Sequence, residues 1–147
     1  AGFVVSIHVA GMYAFSPLFG FLADRMGRLP TMFAGQAILL ASLLLTGLLP
    51  GDPIAVTIGL FLLGLGWSAS TVSGSTLMSA SAPADRRTVF QGRSDTAQSA
   101  TGALAAVVAG PVMATVSYAG LSLATASIVA SDIIIIFIAR SVRSRTS

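Results

Sequence analysis

The chain has 147 residues, 54% of them hydrophobic and only 9% charged, against the roughly 25% charged residues of a soluble domain. It carries eight arginines and five aspartates, one histidine and no cysteine. Disulfides and thiolate metal sites are therefore excluded. The arginines sit dispersed in short connections with no aromatic platform beside them, which argues against nucleic acid as a partner.

Charge-free runs span residues 1–23, 29–51, 53–84 and 96–131. Each is long enough for a bilayer core of roughly 30 Å, which asks for about 20 apolar residues per helix. The runs are continuously apolar and lack the roughly ten-residue alternating period of barrel strands. The pattern predicts an all-α, polytopic transmembrane helical bundle in a lipid bilayer, one transmembrane domain over residues 1–147.

The first span is expected over 2–22. It opens within an apolar run, without a charged leader or cleavage site, as a piece of a longer chain would. It carries His8 and the pair Ser16-Pro17, and Pro within a membrane helix implies a local kink. His8 is open to two readings, an interhelical hydrogen bond or a group facing a cavity. A charged connection over 24–29 follows, then Pro30, well placed in the first turn of the second span, 31–49. Pro50-Gly51-Asp52-Pro53 is a strong breaker cluster.

The third span, 54–78, holds Trp67 and a polar ladder of Ser68, Thr71 and Ser75, spaced to share one helical face. The longest polar stretch, 81–96, contains Asp85, Arg86, Arg87, Arg93 and Asp95. The run 96–131 is too long for one straight crossing, so it divides at Tyr118-Ala119-Gly120 into a fourth span, 97–117, and a fifth, 121–139. A basic tail, 140–147, ends the sequence.

Five spans alternate sides, which puts the 24–29 connection, the 81–96 loop and the tail together. Those three segments hold all eight arginines, and the connections at 50–53 and 118–120 hold none. By the positive-inside rule the arginine-bearing segments, the C-terminus included, are cytoplasmic.

Small residues mark expected helix contacts. Gly102, Ala106 and Gly110 form a ridge on the fourth span, and Gly59, Gly64, Gly66 and Gly74 thin the third. Asp132 sits about eight residues, roughly 12 Å, inside the Arg140 edge. Ionising an acid there is costly, so it reads either as a proton-coupling carboxylate or as a protonated, hydrogen-bonded structural group. No nucleophile–base pair, phosphate-cradling loop or metal-ligand spacing exists, so neither an enzyme nor a cofactor or metal is expected.

The stretch Gly20-Phe21-Leu22-Ala23-Asp24-Arg25-Met26-Gly27-Arg28 resembles the loop signature of the major facilitator superfamily. Gly20, Leu22, Asp24, Arg25, Gly27 and Arg28 match in register, while Leu29 stands where a second basic residue is common. In physical terms Gly20 would permit close helix approach, and Asp24 could accept from the exposed N–H groups of a helix N-terminus. Arg28 could reach an acidic partner, with Asp85 and Asp95 the candidates. A generic positive-inside turn is the plain alternative. The loop around Gln91-Gly92-Arg93-Ser94-Asp95 and the segment from His8 to Pro17 extend the likeness, to helices eight to twelve of such a protein. Helices two to six match the signature equally well.

The resemblance implies a secondary active transporter of the plasma (inner) membrane, moving a small solute by alternating access and coupled to a proton gradient. The amino-terminal half, absent from these residues, would be its partner. The first, third and fourth spans would line the cavity, making His8, Ser68, Thr71 and Ser75 candidate lining residues, with Gln98 and Thr101 nearer the cytoplasmic mouth. The second and fifth spans, Asp132 included, would be peripheral. A non-transporting scaffold or incomplete half-transporter that packs against a partner is the competing reading.

Overall fold

The computed structural model describes residues 2–145, the side chains at 139–140 and 142–145 apart. The arginine side chains of the expected basic tail thus lie outside the described residues. Among the described residues all regular structure is helical: α1 (Gly2–Tyr13), α2 (Ser16–Met26), α3 (Arg28–Leu48), α4 (Pro53–Ser81), a 3₁₀ turn (Ala84–Arg86) and α5 (Arg87–Arg145).

The first apolar run is a broken helix. Pro17 has no N–H for the Tyr13 carbonyl, and the break falls one turn before it, at Ala14 and Phe15. The Ser16 hydroxyl donates to the Met12 carbonyl at 2.9 Å, replacing part of the lost ladder.

The expected charged turn proves far shorter than 24–29. Asp24 and Arg25 lie within α2, and Arg28 already opens α3. Only Gly27 is non-helical, at φ 99° and ψ 151°, a region that L side chains rarely adopt. Thr31 donates to the Gly27 carbonyl at 2.9 Å and secures the first turn of α3.

The breaker cluster at 50–53 behaves as its residues dictate. The Asp52 carboxylate accepts from the amides of Ile54 at 2.8 Å and Ala55 at 3.4 Å, and Pro53 occupies a first-turn position of α4. Such a cap contributes about 1 kcal/mol.

Two further boundaries move. α4 runs to Ser81, and the expected 81–96 loop contracts to Ala82, Pro83 and the 3₁₀ turn, because α5 starts at Arg87. The break expected at 118–120 occurs at Ser117 instead, which adopts φ 71° and ψ 168° inside the 59-residue stretch of α5. A continuous helix of that length would extend about 88 Å, roughly three bilayer cores. We therefore describe α5 as two arms, 87–116 and 118–145. Among the described residues four helical stretches are long and apolar enough to cross a membrane: Gly2–Met26, Arg28–Leu48, Pro53–Ser81 and Ala84–Ile138, the last covering the first arm and most of the second.

α4 is the axis. On one side it meets α3, where the buried Ser42 hydroxyl donates to the Gly59 carbonyl at 2.6 Å and Gly35 lies against Ser70. On the other side it meets α1 and α2. A methyl group at Gly11 would sit 2.8 Å from the Phe61 carbonyl, and one at Gly64 would strike the His8 carbonyl. Edge-to-face pairs Tyr13–Trp67 and Phe15–Phe61 flank this seam, their centroids 6.2 and 5.8 Å apart.

The second arm of α5 lies on α3. Gly47 lies against Ser122 and Leu123, and a stripe at 122, 126, 129, 130, 133 and 136 is buried or half-buried at helical spacing. The first arm touches α4 only near its start. Its small ridge of Gly102, Ala106 and Gly110 packs on no helix among the described residues: a methyl group at Gly102 or Gly110 meets open space.

The side-chain distribution is that of a membrane bundle. Ser42, Ser68 and Ser73 are the largest fully buried side chains, while Phe3, Ile54, Val107 and Ile128 are exposed. In lipid there is no hydrophobic drive between helices, so close backbone approach and interhelical hydrogen bonds replace it.

Gly64→Ala should lower the stability of the full-length protein in detergent by about 1–3 kcal/mol, because its methyl meets backbone that cannot rotate away. Gly92→Ala, whose methyl meets open space, should be neutral or gain up to about 1 kcal/mol of helix propensity. Thermal unfolding of the two variants side by side measures the difference, and equal stabilities would contradict the packing described.

Candidate functional site

The ladder expected on α4 divides between two seams. Ser68 is fully buried and bonds Ser16 Oγ at 2.9 Å, pinning the start of α2 to α4 just past the helix break. With the Ser16 proton directed to Met12, Ser68 is the donor of that pair. Ser68 is thus a structural contact between helices in these residues. His8 behaves alike: its Nδ1 donates to the Leu60 carbonyl at 2.8 Å, which satisfies the interhelical reading of this residue. It lines none of the hollows described below.

Thr71 and Ser75 face the other way, toward the first arm of α5. With Gln98 they line a hollow of about 360 Å³, whose walls include Trp67, Ser70 and Gly74. Every polar group named there is neutral. The Ser70 hydroxyl, on the same wall, is buried and finds no protein partner, a condition that costs roughly 1–3 kcal/mol unless something else bonds it. Trp67 and Ser70 were not expected to share this space. The three-residue step from Trp67 to Ser70 is the only sequence signal that could have suggested it. Thr101 lies beyond the hollow, exposed, its hydroxyl turned back to the Ala97 carbonyl at 2.8 Å.

At the arginine-rich end, Asp24 lines a second hollow of about 520 Å³ with Gly27, Arg28, Leu29, Pro30 and Leu77. Its carboxylate is exposed, and no helix N-terminus among the described residues donates to it. Arg25 lies over the Phe21 ring, 5.8 Å from its centroid. Gly20 has open space where a side chain would project, so no close helix contact explains it within these residues.

Neither acid expected to meet Arg28 does so. Asp85 pairs loosely with its neighbour Arg86 at 3.7 Å, both exposed. Asp95 accepts from Gln91 Nε2 at 3.1 Å, one helical turn away. The reason is geometric: with α5 helical from Arg87, Asp95 projects from the third turn of a helix rather than from a loop free to fold back. Gln91 Nε2 also donates to Ser75 Oγ at 3.3 Å and so ties α5 to α4.

Asp132 is exposed on the second arm of α5 and lines none of these hollows. Among the described residues there is also no cluster of three or more His, Cys, Asp or Glu that could hold a metal ion.

Comparison with known proteins agrees with this geometry. The Major Facilitator Superfamily model matches residues 1–147. An uncharacterized MFS-type transporter of Bacillus subtilis (strain 168), YddS, is 36% identical over 126 residues, covering 85% of this chain and 29% of that protein. A second from the same organism, YdeG, is 34% identical over 123 residues, covering 83% of this chain and 29% of its own length. The chain thus spans under a third of the length of the curated relatives it matches. No solved structure matches it. With the family pattern running through every helix from α1 to α5, the chain belongs to the major facilitator superfamily.

Proposed function

We propose that the chain is the moving half-bundle of a secondary active transporter, carrying a small solute across the membrane by alternating access. The observation that carries this reading is the neutral, hydroxyl-lined hollow between α3, α4 and the first arm of α5, set in a bundle whose family is that of transporters. Solute sites of this kind lie within the bilayer between helices. A hollow bounded by Trp67, Thr71, Ser75 and Gln98 suits a solute that offers a flat or apolar face and hydrogen-bonding groups.

In this reading the chain crosses five times, with the arginine-rich ends and the C-terminus cytoplasmic in accord with the positive-inside rule. The described helices rock as one body, because α4 is locked to α1 and α2 on one side and to α3 on the other. The Gly20–Arg28 connection is the contact by which that body latches to the rest of the protein. Asp24, exposed at a hollow and unsatisfied by these residues, waits for a helix N-terminus supplied from outside them. The Gly27 turn fixes it within a rigid corner.

Asp132 faces away from the solute hollow. We assign it a structural role on the surface of the bundle, and place the coupling of transport to a proton gradient elsewhere in the full protein.

Two measurements test these roles, using a solute identified by thermal-shift screening of the full-length protein. Asp24→Asn removes a charge–helix-end interaction of about 1 kcal/mol and should slow turnover about five-fold or more with KM near wild type. Wild-type rates in that variant would remove the latch. Asp132→Asn should leave solute accumulation driven by a proton gradient unchanged. Loss of accumulation with solute exchange intact would make this acid the coupling site instead.

A further inference from the structure

Beside the solute hollow, at the arginine-rich end, a separate cavity of about 580 Å³ opens between the start of α3, the end of α4 and the start of α5. Its polar wall is Arg28, Arg87, Ser75, Thr76, Ser79 and Gln91. Two guanidinium groups from different helices thus line one space that contains no acid. Among the described residues neither Arg28 nor Arg87 forms an ion pair, although Arg28 also borders the hollow that Asp24 lines. The adjoining hollow of about 420 Å³ shares Ser79, Arg87 and Gln91 and adds Asp95, but that carboxylate is already engaged by Gln91.

Two like charges converging on a membrane-edge cavity repel unless an anion sits between them, and at low effective dielectric the repulsion grows. Guanidinium forks match the oxygens of a phosphate, often in bidentate fashion. α3 and α5 begin at Arg28 and Arg87 themselves, so both guanidinium groups sit at helix starts, beside the C-terminal end of α4.

We propose that this cavity binds a phosphate-bearing anion, held between Arg28 and Arg87. A phosphoglycerol lipid headgroup and a soluble phosphate monoanion both have this chemistry. The site bridges the connection before α3 to the start of α5, so occupancy would tie together the ends of three helices. It adjoins the solute hollow, with Ser75 on both walls, and its test does not depend on transport.

The full-length protein in phosphatidylcholine nanodiscs is titrated in separate arms with phosphatidylglycerol and with inorganic phosphate. Thermal unfolding and native mass spectrometry of retained lipid are the readouts. Saturable stabilisation by phosphatidylglycerol alone assigns the site to lipid, and stabilisation by inorganic phosphate as well assigns it to the phosphate group from either source. Arg87→Gln should weaken binding about five-fold, the effect of one basic group at a membrane surface. Arg93→Gln removes the same charge from an exposed position outside both hollows and should leave binding within about two-fold. Should Arg87→Gln fail to fold, Ser79→Leu fills the cavity wall and should abolish binding. The proposal is overturned if neither ligand stabilises the wild type, or if Arg93→Gln weakens binding as much as Arg87→Gln.

Discussion

Everything in this bundle depends on how closely other helices approach α4. A membrane offers no hydrophobic reward for one apolar helix meeting another, so contact must come from dispersion at short range and from hydrogen bonds that lipid cannot supply. α4 meets that requirement on both flanks. Gly64 brings its backbone against that of His8–Met12 in α1, and Gly66 lies against Leu39 and Gly35 in α3. At such distances the Ser42 hydroxyl reaches the Gly59 carbonyl and the His8 ring reaches the Leu60 carbonyl. Interhelical bonds of this kind are worth about 0.6 kcal/mol on average and up to about 1.7. Individually they are modest; together they hold α1 to α4 in a single arrangement.

That rigidity shapes the functional reading. A body that rocks must keep its own geometry while its contacts to the rest of the protein change. The described contacts separate along this line. Packing is dense around α4 and between α3 and the second arm of α5. It is sparse along the first arm, whose face from 99 to 108 is exposed throughout, and at Asp24. The sparse regions are where the proposed solute hollow and the proposed latch lie.

Much of the fold could be read in the residues, and the failures have physical causes. The Pro50–Pro53 turn is dictated by local chemistry, since Asp52 caps and Pro53 needs no amide partner. The helical class followed from uncharged runs of bilayer length. The polar stretch 81–96 misled because polarity reports contact with water rather than backbone conformation, and α5 simply starts outside the apolar zone. Ser117 could not be foreseen as the break: a positive φ is rare at serine, and Gly120 close by looked the better candidate. At the site, Thr71, Ser75 and Gln98 were legible as a group. Ser68 and His8 went to other seams because a shared helical face still has two flanks, and only packing decides which neighbour each flank meets. The missing partner for Arg28 follows instead from the early start of α5, which holds Asp95 on a helix.

The central claim is that these helices move as one body about α4. The 147 residues contain no cysteine, so spin labels can be placed here at will through Met26→Cys at the end of α2 and Thr88→Cys at the start of α5, both exposed. A third label in the remainder of the full-length protein, on the same side of the membrane, completes the measurement by pulsed electron–electron resonance with and without solute. The account predicts an unchanged, single distance between positions 26 and 88, while the distance from either to the third label shifts. A solute-dependent change between positions 26 and 88 themselves would contradict it.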